Sequence, residues 1–234
     1  MKYIIANWKA NKTQKEALAW IKTIKKAKIK TASNLKFIIC PSYIHLHLFI
    51  NHSPNIILGA QTLSPYPDGA YTGAVSARML ADQVKFVILG HSERRRYFKE
   101  TNTTTAQQAR LALGNKITPI IAVDKDNYTS QLHHLTAKKL QRSFVMYEPP
   151  EAISIQAGPI GKGKPAPLTE VLTMIQKIRK EFNPKAILYG GSIKSNNIAQ
   201  FLGHNEIDGV VPGSASLNPD EFIKMVNTAS LTLS

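Results

Sequence analysis

Residues 85–95, KFVILGHSERR, decide the fold. The first half, Lys85–Leu89, is a short apolar run, and the sequence becomes polar directly after Gly90. An unbroken apolar run of this length is typical of a strand buried on both faces, whereas Ser92-Glu93 indicates the start of a helix. The stretch therefore predicts a strand, a turn and a helix, with a histidine at the turn.

Seven more apolar runs of this kind recur along the chain. The eight are Tyr3–Ala6, Lys36–Cys40, Ile56–Gly59, Lys85–Leu89, Ile117–Val123, Ser143–Tyr147, Ala186–Tyr189 and Ile207–Val211. Helical spacing separates them, as in Thr13–Ile29 and Pro167–Phe182, and Asn218 caps a last helix. Alternating strands and helices predict an α/β protein, a single (β/α)8 barrel domain over residues 1–234, with an open doubly wound sheet as the alternative.

The composition argues against disulfide-rich and membrane-spanning proteins. The chain has 234 residues, of which 43% are hydrophobic, and a single cysteine, Cys40, which excludes an internal disulfide framework. No apolar run approaches the ~18 residues that a membrane-spanning helix needs. The apolar stretch at the start of the sequence is too short for a signal peptide. We therefore expect a cytoplasmic protein with no membrane partner, in which Cys40 is a buried core residue.

The net charge of +15 is unusual for an enzyme. A positive field attracts anions such as phosphorylated metabolites, nucleic acids or acidic membranes. Aromatic residues do not interleave with the basic ones, as they do in proteins that bind single strands. We therefore expect no nucleic-acid partner and assign most of the excess charge to the solvated surface.

Polar or small residues follow most of the predicted strands. They are Asn7 and Lys9, Gln61, His91 and Glu93, Glu148, Gly191 and Ser192, and Gly213 and Ser214. In a barrel the carboxyl ends of the strands meet at one rim, where the chemistry of such barrels lies. A lysine, a histidine, carboxylates and two small-residue turns at one rim predict acid–base chemistry beside an anion site.

The turns Gly190-Gly191-Ser192 and Gly213-Ser214 follow neighbouring strands. Small residues let backbone N–H groups approach an anion, and a short helix starting there adds its positive end. Barrels commonly bind phosphate at this location. Two plain tight turns are the alternative interpretation.

Each candidate side chain also has a simpler interpretation. Burial of Glu148 raises its proton affinity and suits a general base, but an ion pair would also explain it. A helix N-terminus favours a neutral His91 that donates to a carbonyl or enolate oxygen, but the ring could merely cap the turn. Lys9 could stabilise an oxyanion and Asn7 could orient a substrate oxygen, or they could be a surface lysine and a strand cap.

Two other patterns do not predict sites. Residues 158–164, GPIGKGK, resemble a nucleotide P-loop, but Pro165 stands where serine or threonine is required. His45 with His47 and His133 with His134 lack the spacing of metal ligands on one helical face. We expect no metal and no cofactor.

Five blocks in order across nearly the whole chain resemble the triosephosphate isomerase family. They are Asn7-Trp8-Lys9, Gly90-His91-Ser92-Glu93-Arg94-Arg95, Tyr147-Glu148-Pro149, Tyr189-Gly190-Gly191-Ser192, and Asp208-Gly209 with Gly213-Ser214-Ala215-Ser216-Leu217. The resemblance implies a TIM barrel that interconverts dihydroxyacetone phosphate and D-glyceraldehyde 3-phosphate. It also implies a homodimer in which Thr72, in Gly69-Ala70-Tyr71-Thr72-Gly73, reaches the site of the other subunit.

The resemblance also assigns roles. Glu148 would be the base and neutral His91 the electrophile, the arrangement for which this enzyme is a standard example. Lys9 would stabilise negative charge, Asn7 would position the substrate, and Glu93 would support Lys9 and His91. The amides of Ser192, Gly213 and Ser214, with Gly191, would hold the phosphate of the triose phosphate.

The chain departs from the family pattern in the expected lid, Pro149–Pro167. This segment lacks the usual tryptophan, and its glycines are displaced. The lid amide that binds phosphate is therefore open between Ser154 and Gly161.

Carboxylates usual in the family are also missing. Ala74 and Lys125 stand where the family usually has glutamates that would pair with Arg94 or Arg95. Loss of a buried partner can cost about 3–5 kcal/mol. We expect substitute partners or modestly lower stability.

Two other functions remain as alternatives. One is a different phosphate-binding barrel, in which Lys9, His91 and Glu148 would not be expected together. The other is a basic nucleic-acid binder without enzymatic activity, with steeply salt-dependent affinity.

Overall fold

The computed structural model describes residues 1–29, 31–53, 56–152, 163 and 165–233. Within this part of the chain, parallel strands close into a barrel in sequence order. The strands are β1 (Lys2–Asn7), β2 (Leu35–Cys40), β3 (Ile57–Ala60), β4 (Phe86–Leu89), β5 (Thr118–Val123), β6 (Phe144–Tyr147), β7 (Ala186–Tyr189) and β8 (Gly209–Val210). Strand β1 pairs with both β2 and β8, which closes the barrel. The (β/α)8 barrel is confirmed and the open sheet is wrong.

Helices connect the strands on the outside of the barrel. Those in the described ranges are α1 (Gln14–Ala27), α2 (Leu46–His52), α3 (Ala77–Leu80), α4 (Ser92–Phe98), α5 (Asn102–Gly114), α6 (Tyr128–Leu132), α7 (Ala137–Leu140), α8 (Leu168–Phe182), α9 (Ile198–Leu202) and α10 (Pro219–Leu233). Helix α1 begins after a capping box between Thr13 and Glu16, and the side chain of Asn218 caps α10 as expected. None of these helices is both long and apolar enough to cross a membrane. That residues 1–234 form one domain stays a prediction.

The last strand is shorter than the sequence predicts. The apolar run Ile207–Val211 contains only the two-residue strand β8. The carboxylate of Asp208 accepts the backbone N–H of Ile187 at 2.7 Å and also binds Arg179 at 2.6 Å. A side chain therefore replaces part of the regular ladder between β7 and β8.

The two ends of the barrel interior differ because side chains alternate along each strand. On β6, Phe144 and Met146 point inward and Glu148 follows them at the carboxyl end. At the amino end, the rings of Tyr3, Phe86 and Phe144 pack with centroids 4.9–6.4 Å apart. Polar groups therefore cluster at the carboxyl end, while aromatic rings fill the amino end.

Cys40 lies fully buried in the same interior cluster, as expected for a core residue. Burial in this apolar surrounding raises the pKa of its thiol. The thiol therefore stays protonated and takes no part in the polar rim.

Candidate active site

A cavity of about 480 Å³ opens at the carboxyl end of the barrel. Nine of the predicted site residues line it, namely Asn7, Lys9, His91, Glu93, Glu148, Gly191, Ser192, Gly213 and Ser214. Ser154 lies outside the described residues. Thr72 is exposed on a surface loop and does not line this cavity. Residues from five different strand ends therefore share one solvent-accessible space.

Lys9 sits in a strained turn that its neighbours hold in place. Its φ of 53° is uncommon for a residue with a side chain, and such strain persists where the surroundings fix it. Oδ1 of Asn7 accepts the Lys9 N–H at 3.1 Å, and Nε2 of Gln61 donates to the Lys9 carbonyl at 2.9 Å. The Lys9 ammonium lies 2.5 Å from Oε1 of Glu93 and beside Gly213. Lys9 thus links the carboxylate side of the cavity to the predicted phosphate turn.

His91 both caps its helix and faces the cavity. Its Nδ1 accepts the backbone N–H of Glu93 at 3.2 Å at the start of α4. Because that N–H requires an unprotonated acceptor, we assign the ring proton to Nε2. Nε2 lies 2.9 Å from Oε1 of Glu148. The capping and functional interpretations of His91 are therefore compatible.

Both oxygens of the buried Glu148 carboxylate have protein partners. Oε1 faces His91, and Oε2 accepts the Ser92 N–H at 3.0 Å. Burial alone would raise the pKa of Glu148, but His91, the Ser92 N–H and Lys9 outweigh it, so this pKa lies below its ordinary value. The expectation of a raised proton affinity is therefore wrong, because it left out hydrogen-bond donors that are distant in sequence.

The pKa of His91 depends on the same contact with Glu148. Burial disfavours the imidazolium, but the carboxylates of Glu148 and Glu93 outweigh burial and raise the pKa of His91 above its ordinary value. The position of His91 at a helix N-terminus, taken alone, had predicted a lowered pKa. Departure of Glu148 from the ring would remove the largest of these favourable interactions and lower the pKa of His91.

The two small-residue turns differ in their surroundings. A 3-10 helix, Ser214–Leu217, begins directly after Gly213, as expected, whereas the first helix after Ser192 begins only at α9. A Cβ at Gly191 would lie 2.2 Å from the hydroxyl of Tyr189, so only glycine fits there. Both turns line the cavity with small residues and bring backbone groups to its wall.

The hydroxyl of Ser192 donates to the carbonyls of Ala152 and Gly163 at 3.0 and 2.7 Å. These two residues flank the part of the expected lid that lies outside the described residues, 153–162. Both possible lid amides, Ser154 and Gly161, belong to that segment. Ser192, in the predicted phosphate turn, thus contacts the described residues on both sides of 153–162.

The side chains set aside as metal or nucleotide ligands have ordinary surroundings where they are described. Nε2 of the buried His45 lies 2.8 Å from the Lys12 carbonyl, and His133 lies on the surface near Glu181. Most of the stretch that resembles a P-loop, residues 158–162 and 164, lies outside the described residues. That the protein takes no metal and no cofactor stays a prediction.

Comparisons with known proteins agree with this geometry. A sequence model of the family described as triosephosphate isomerase matches residues 2–229. The chain belongs to the triosephosphate isomerase family. It is 36% identical to the triosephosphate isomerase of Mesomycoplasma hyorhinis, over 95% of this chain and 96% of that protein. It is also 36% identical to that of Trichodesmium erythraeum, over 96% and 97%, and 35% identical to that of Endomicrobium trichonymphae, over 94% and 95%.

Arginines near the site of this family member have substitute partners, as expected. Nε of Arg94 donates to Oε1 of Glu100 at 2.7 Å. Arg95 donates instead to neutral oxygens of Gly90, Asn102 and Gln131. The loss of family carboxylates therefore leaves one arginine in an ion pair and the other among neutral groups.

Sequence reasoning missed several contributors to the site. The Ser92 N–H holds Glu148, and Asn11 and Lys194 also line the cavity. Gln61 was noted because it follows a strand directly, but its role, holding the Lys9 turn through its amide, was not predicted. The others could not be distinguished from ordinary helix and loop residues.

Proposed function

We propose that this protein interconverts dihydroxyacetone phosphate and D-glyceraldehyde 3-phosphate through an enediol(ate), with Glu148 as base and His91 as electrophile. The observation that carries the proposal is the meeting of Glu148, His91 and Lys9 in one cavity beside two small-residue turns. A base, a neutral donor and a cation around one carbonyl group are what proton abstraction next to a carbonyl requires.

Glu148 begins the reaction only after it leaves its present partners. Both of its oxygens are hydrogen-bonded to His91 and Ser92, so the side chain turns toward the substrate to free one of them. Its carboxylate then takes the proton from the carbon next to the carbonyl group, and the C–H electron pair becomes the carbon–carbon double bond of the enediolate. Return of that proton to the neighbouring carbon completes the isomerisation.

His91 and Lys9 act on the oxygens of the substrate. The Nε2 proton of His91 is given to the developing oxyanion, and the ring recovers a proton from the neighbouring hydroxyl group. A neutral ring suits this exchange, because Nδ1 is occupied by the Glu93 N–H. The ammonium of Lys9, held by Glu93, stabilises the negative charge, and Asn7 holds the backbone turn that places it.

The phosphate group would bind the backbone amides of Ser192, Gly213 and Ser214, beside Gly191. These residues form the cavity wall next to Lys9. We include Ser154 as the lid residue that contacts phosphate, on sequence grounds. Closure of the lid would exclude water and prevent the enediolate from losing phosphate.

We also propose a cytoplasmic homodimer in which Thr72 reaches the partner's cavity. Around Thr72 the surface carries exposed apolar side chains, Tyr66, Tyr71 and Met79, of which the two tyrosine rings stack at 4.6 Å. Exposed apolar patches of this kind mark contact surfaces. Sedimentation equilibrium should give twice the 25.9 kDa chain mass, and a monomer at micromolar concentration would contradict this part of the proposal.

A coupled assay of glyceraldehyde phosphate conversion tests the function. The isosteric Glu148→Gln variant should lose at least ~10²–10⁴-fold in kcat, while inorganic phosphate still binds. Glu181→Gln, which removes an exposed carboxylate on α8, is the matched control and should keep full activity. An unchanged rate in Glu148→Gln, or no conversion by the native protein, would overturn the proposal.

A further inference from the structure

Arg95 lies one helical turn after His91, and its backbone N–H binds the His91 carbonyl at 3.0 Å. Its guanidinium donates to the Gly90 carbonyl at 2.7 Å, to Oδ1 of Asn102 at 2.7 Å and to Oε1 of Gln131 at 2.6 Å. All three acceptors are neutral. Among the described residues, no carboxylate lies within ion-pair distance of Arg95. Each nitrogen of the guanidinium therefore donates to a neutral oxygen, while its charge has no direct counter-ion.

The neutral acceptors are themselves held in one orientation. Nδ2 of Asn102 donates to Ser130 at 3.0 Å, and Nε2 of the fully buried Gln131 donates to the Asn102 carbonyl at 3.3 Å. Each amide thus uses its nitrogen elsewhere and points its oxygen at Arg95. This arrangement is a built site for one guanidinium.

Gly90 connects Arg95 to the catalytic histidine. It adopts φ of 66°, and a Cβ there would lie 2.8 Å from Nη2 of Arg95 and 2.9 Å from Thr105. The carbonyl that Arg95 holds belongs to the peptide that leads directly into His91. Arg95 therefore fixes the turn from which the imidazole projects.

The charge of Arg95 also acts on the catalytic base. Charged groups that face Arg95 are Asp124, Glu100 and the base Glu148 itself, whereas His91 faces Glu148, Glu93 and Lys9. Arginine stays protonated at any pH of activity. A positive charge that faces Glu148 favours the ionised form of its carboxyl group.

We propose that Arg95 is a positioning residue for His91, and that its neutral acceptors, Asn102 and Gln131, leave its charge free to keep Glu148 ionised. The consequence for the reaction depends on the proposed isomerase function. The consequence for the titration of Glu148 does not, which separates the two in experiment.

Gln131→Glu tests the effect of the charge, because it keeps the shape of the side chain and supplies the missing carboxylate. We expect the acidic limb of kcat/KM and the titration of Glu148, followed by carbon NMR of its labelled carboxyl group, to move up by about half a pH unit or more. Gln200→Glu adds the same charge at an exposed position on α9 and should leave both curves in place. Curves for Gln131→Glu that overlay those of the native protein would overturn the proposal.

Two further variants keep the test decisive if Gln131→Glu does not fold. Asn102→Asp places a carboxylate at the second acceptor and should shift both curves in the same direction. Arg95→Lys keeps the charge but loses the three-point contact, so kcat should fall about tenfold or more with little change in KM. An unshifted Glu148 titration in Asn102→Asp, or an unchanged kcat in Arg95→Lys, would contradict the corresponding half of the proposal. An inactive native protein would instead contradict the proposed function.

Discussion

The two ends of the barrel use the same strands in opposite ways. Strand β6 begins with Phe144 and leads into Glu148, and β1 begins near Tyr3 and ends at Asn7. At the amino end, aromatic rings pack together without polar partners. At the carboxyl end, buried polar groups and a left-handed turn at Lys9 are held by a network of hydrogen bonds. The difference indicates that stability is concentrated at one end and chemistry at the other.

Phe144→Ala should give the largest change in stability. Truncation of this fully buried ring removes packing against Tyr3 and Phe86, and should lower the free energy of unfolding by about 3–5 kcal/mol. Urea denaturation measures the loss. The folded fraction should retain its kcat, since the ring lies at the opposite end from the cavity. Leu231→Ala, at an 80% exposed position, is the control and should change stability little.

Lys9→Met, at the carboxyl end, should instead lower activity strongly and stability less than Phe144→Ala does. Loss of the ammonium removes the group that stabilises the oxyanion, and kcat/KM should fall about 10²–10³-fold. Steady-state kinetics in the coupled assay measure it. Lys22→Met removes an exposed lysine of α1 and should keep activity. A stability loss in Lys9→Met as large as that of Phe144→Ala would contradict the division between the two ends.

Gly90→Ala sharpens the comparison, because it disturbs the backbone beneath the site. The added Cβ would meet Arg95 and Thr105 in a left-handed conformation, which should destabilise the protein by about 1–3 kcal/mol. Gly114→Ala, where a Cβ meets nothing within 4 Å, should instead stabilise α5 by about 0.5–1 kcal/mol. Thermal unfolding of the two variants measures both changes in stability. Equal effects would exclude a specific role for the Gly90 turn.

Apart from the loss of activity expected for the catalytic electrophile, His91→Asn should cause the smallest of these physical changes, a shift in the titration of one carboxyl group. Burial of Glu148 would remain while its main partner is lost, so the pKa of Glu148 should rise from its present low position. Carbon NMR of the labelled carboxyl group measures it, with His133→Asn as an exposed control. A pKa of Glu148 that stays unchanged in His91→Asn would show that the ring does not hold the carboxylate ionised.

The sequence predicted most of the fold because each strand is a short apolar run, which can be recognised without knowing what it contacts in the fold. All eight strands were predicted. The bounds of most differ from the prediction by one residue at one end or both, and β8 is three residues shorter, where the side chain of Asp208 replaces a backbone bond. Nine of the predicted site residues line one cavity, since they stand at strand ends. The pKa of Glu148 was not, because it depends on His91, which lies far away in sequence and 2.9 Å away in the fold. The acceptors of Arg95 could not be foreseen for the same reason.

The most direct test is a crystal structure of the Glu148→Gln variant with dihydroxyacetone phosphate, which this variant should bind without converting. We expect the phosphate group against the amides of Ser192, Gly213 and Ser214, and the carbonyl oxygen within hydrogen-bond distance of Nε2 of His91 and the ammonium of Lys9. A ligand bound elsewhere on the protein, or one whose carbonyl faces away from His91 and Lys9, would contradict the proposed function.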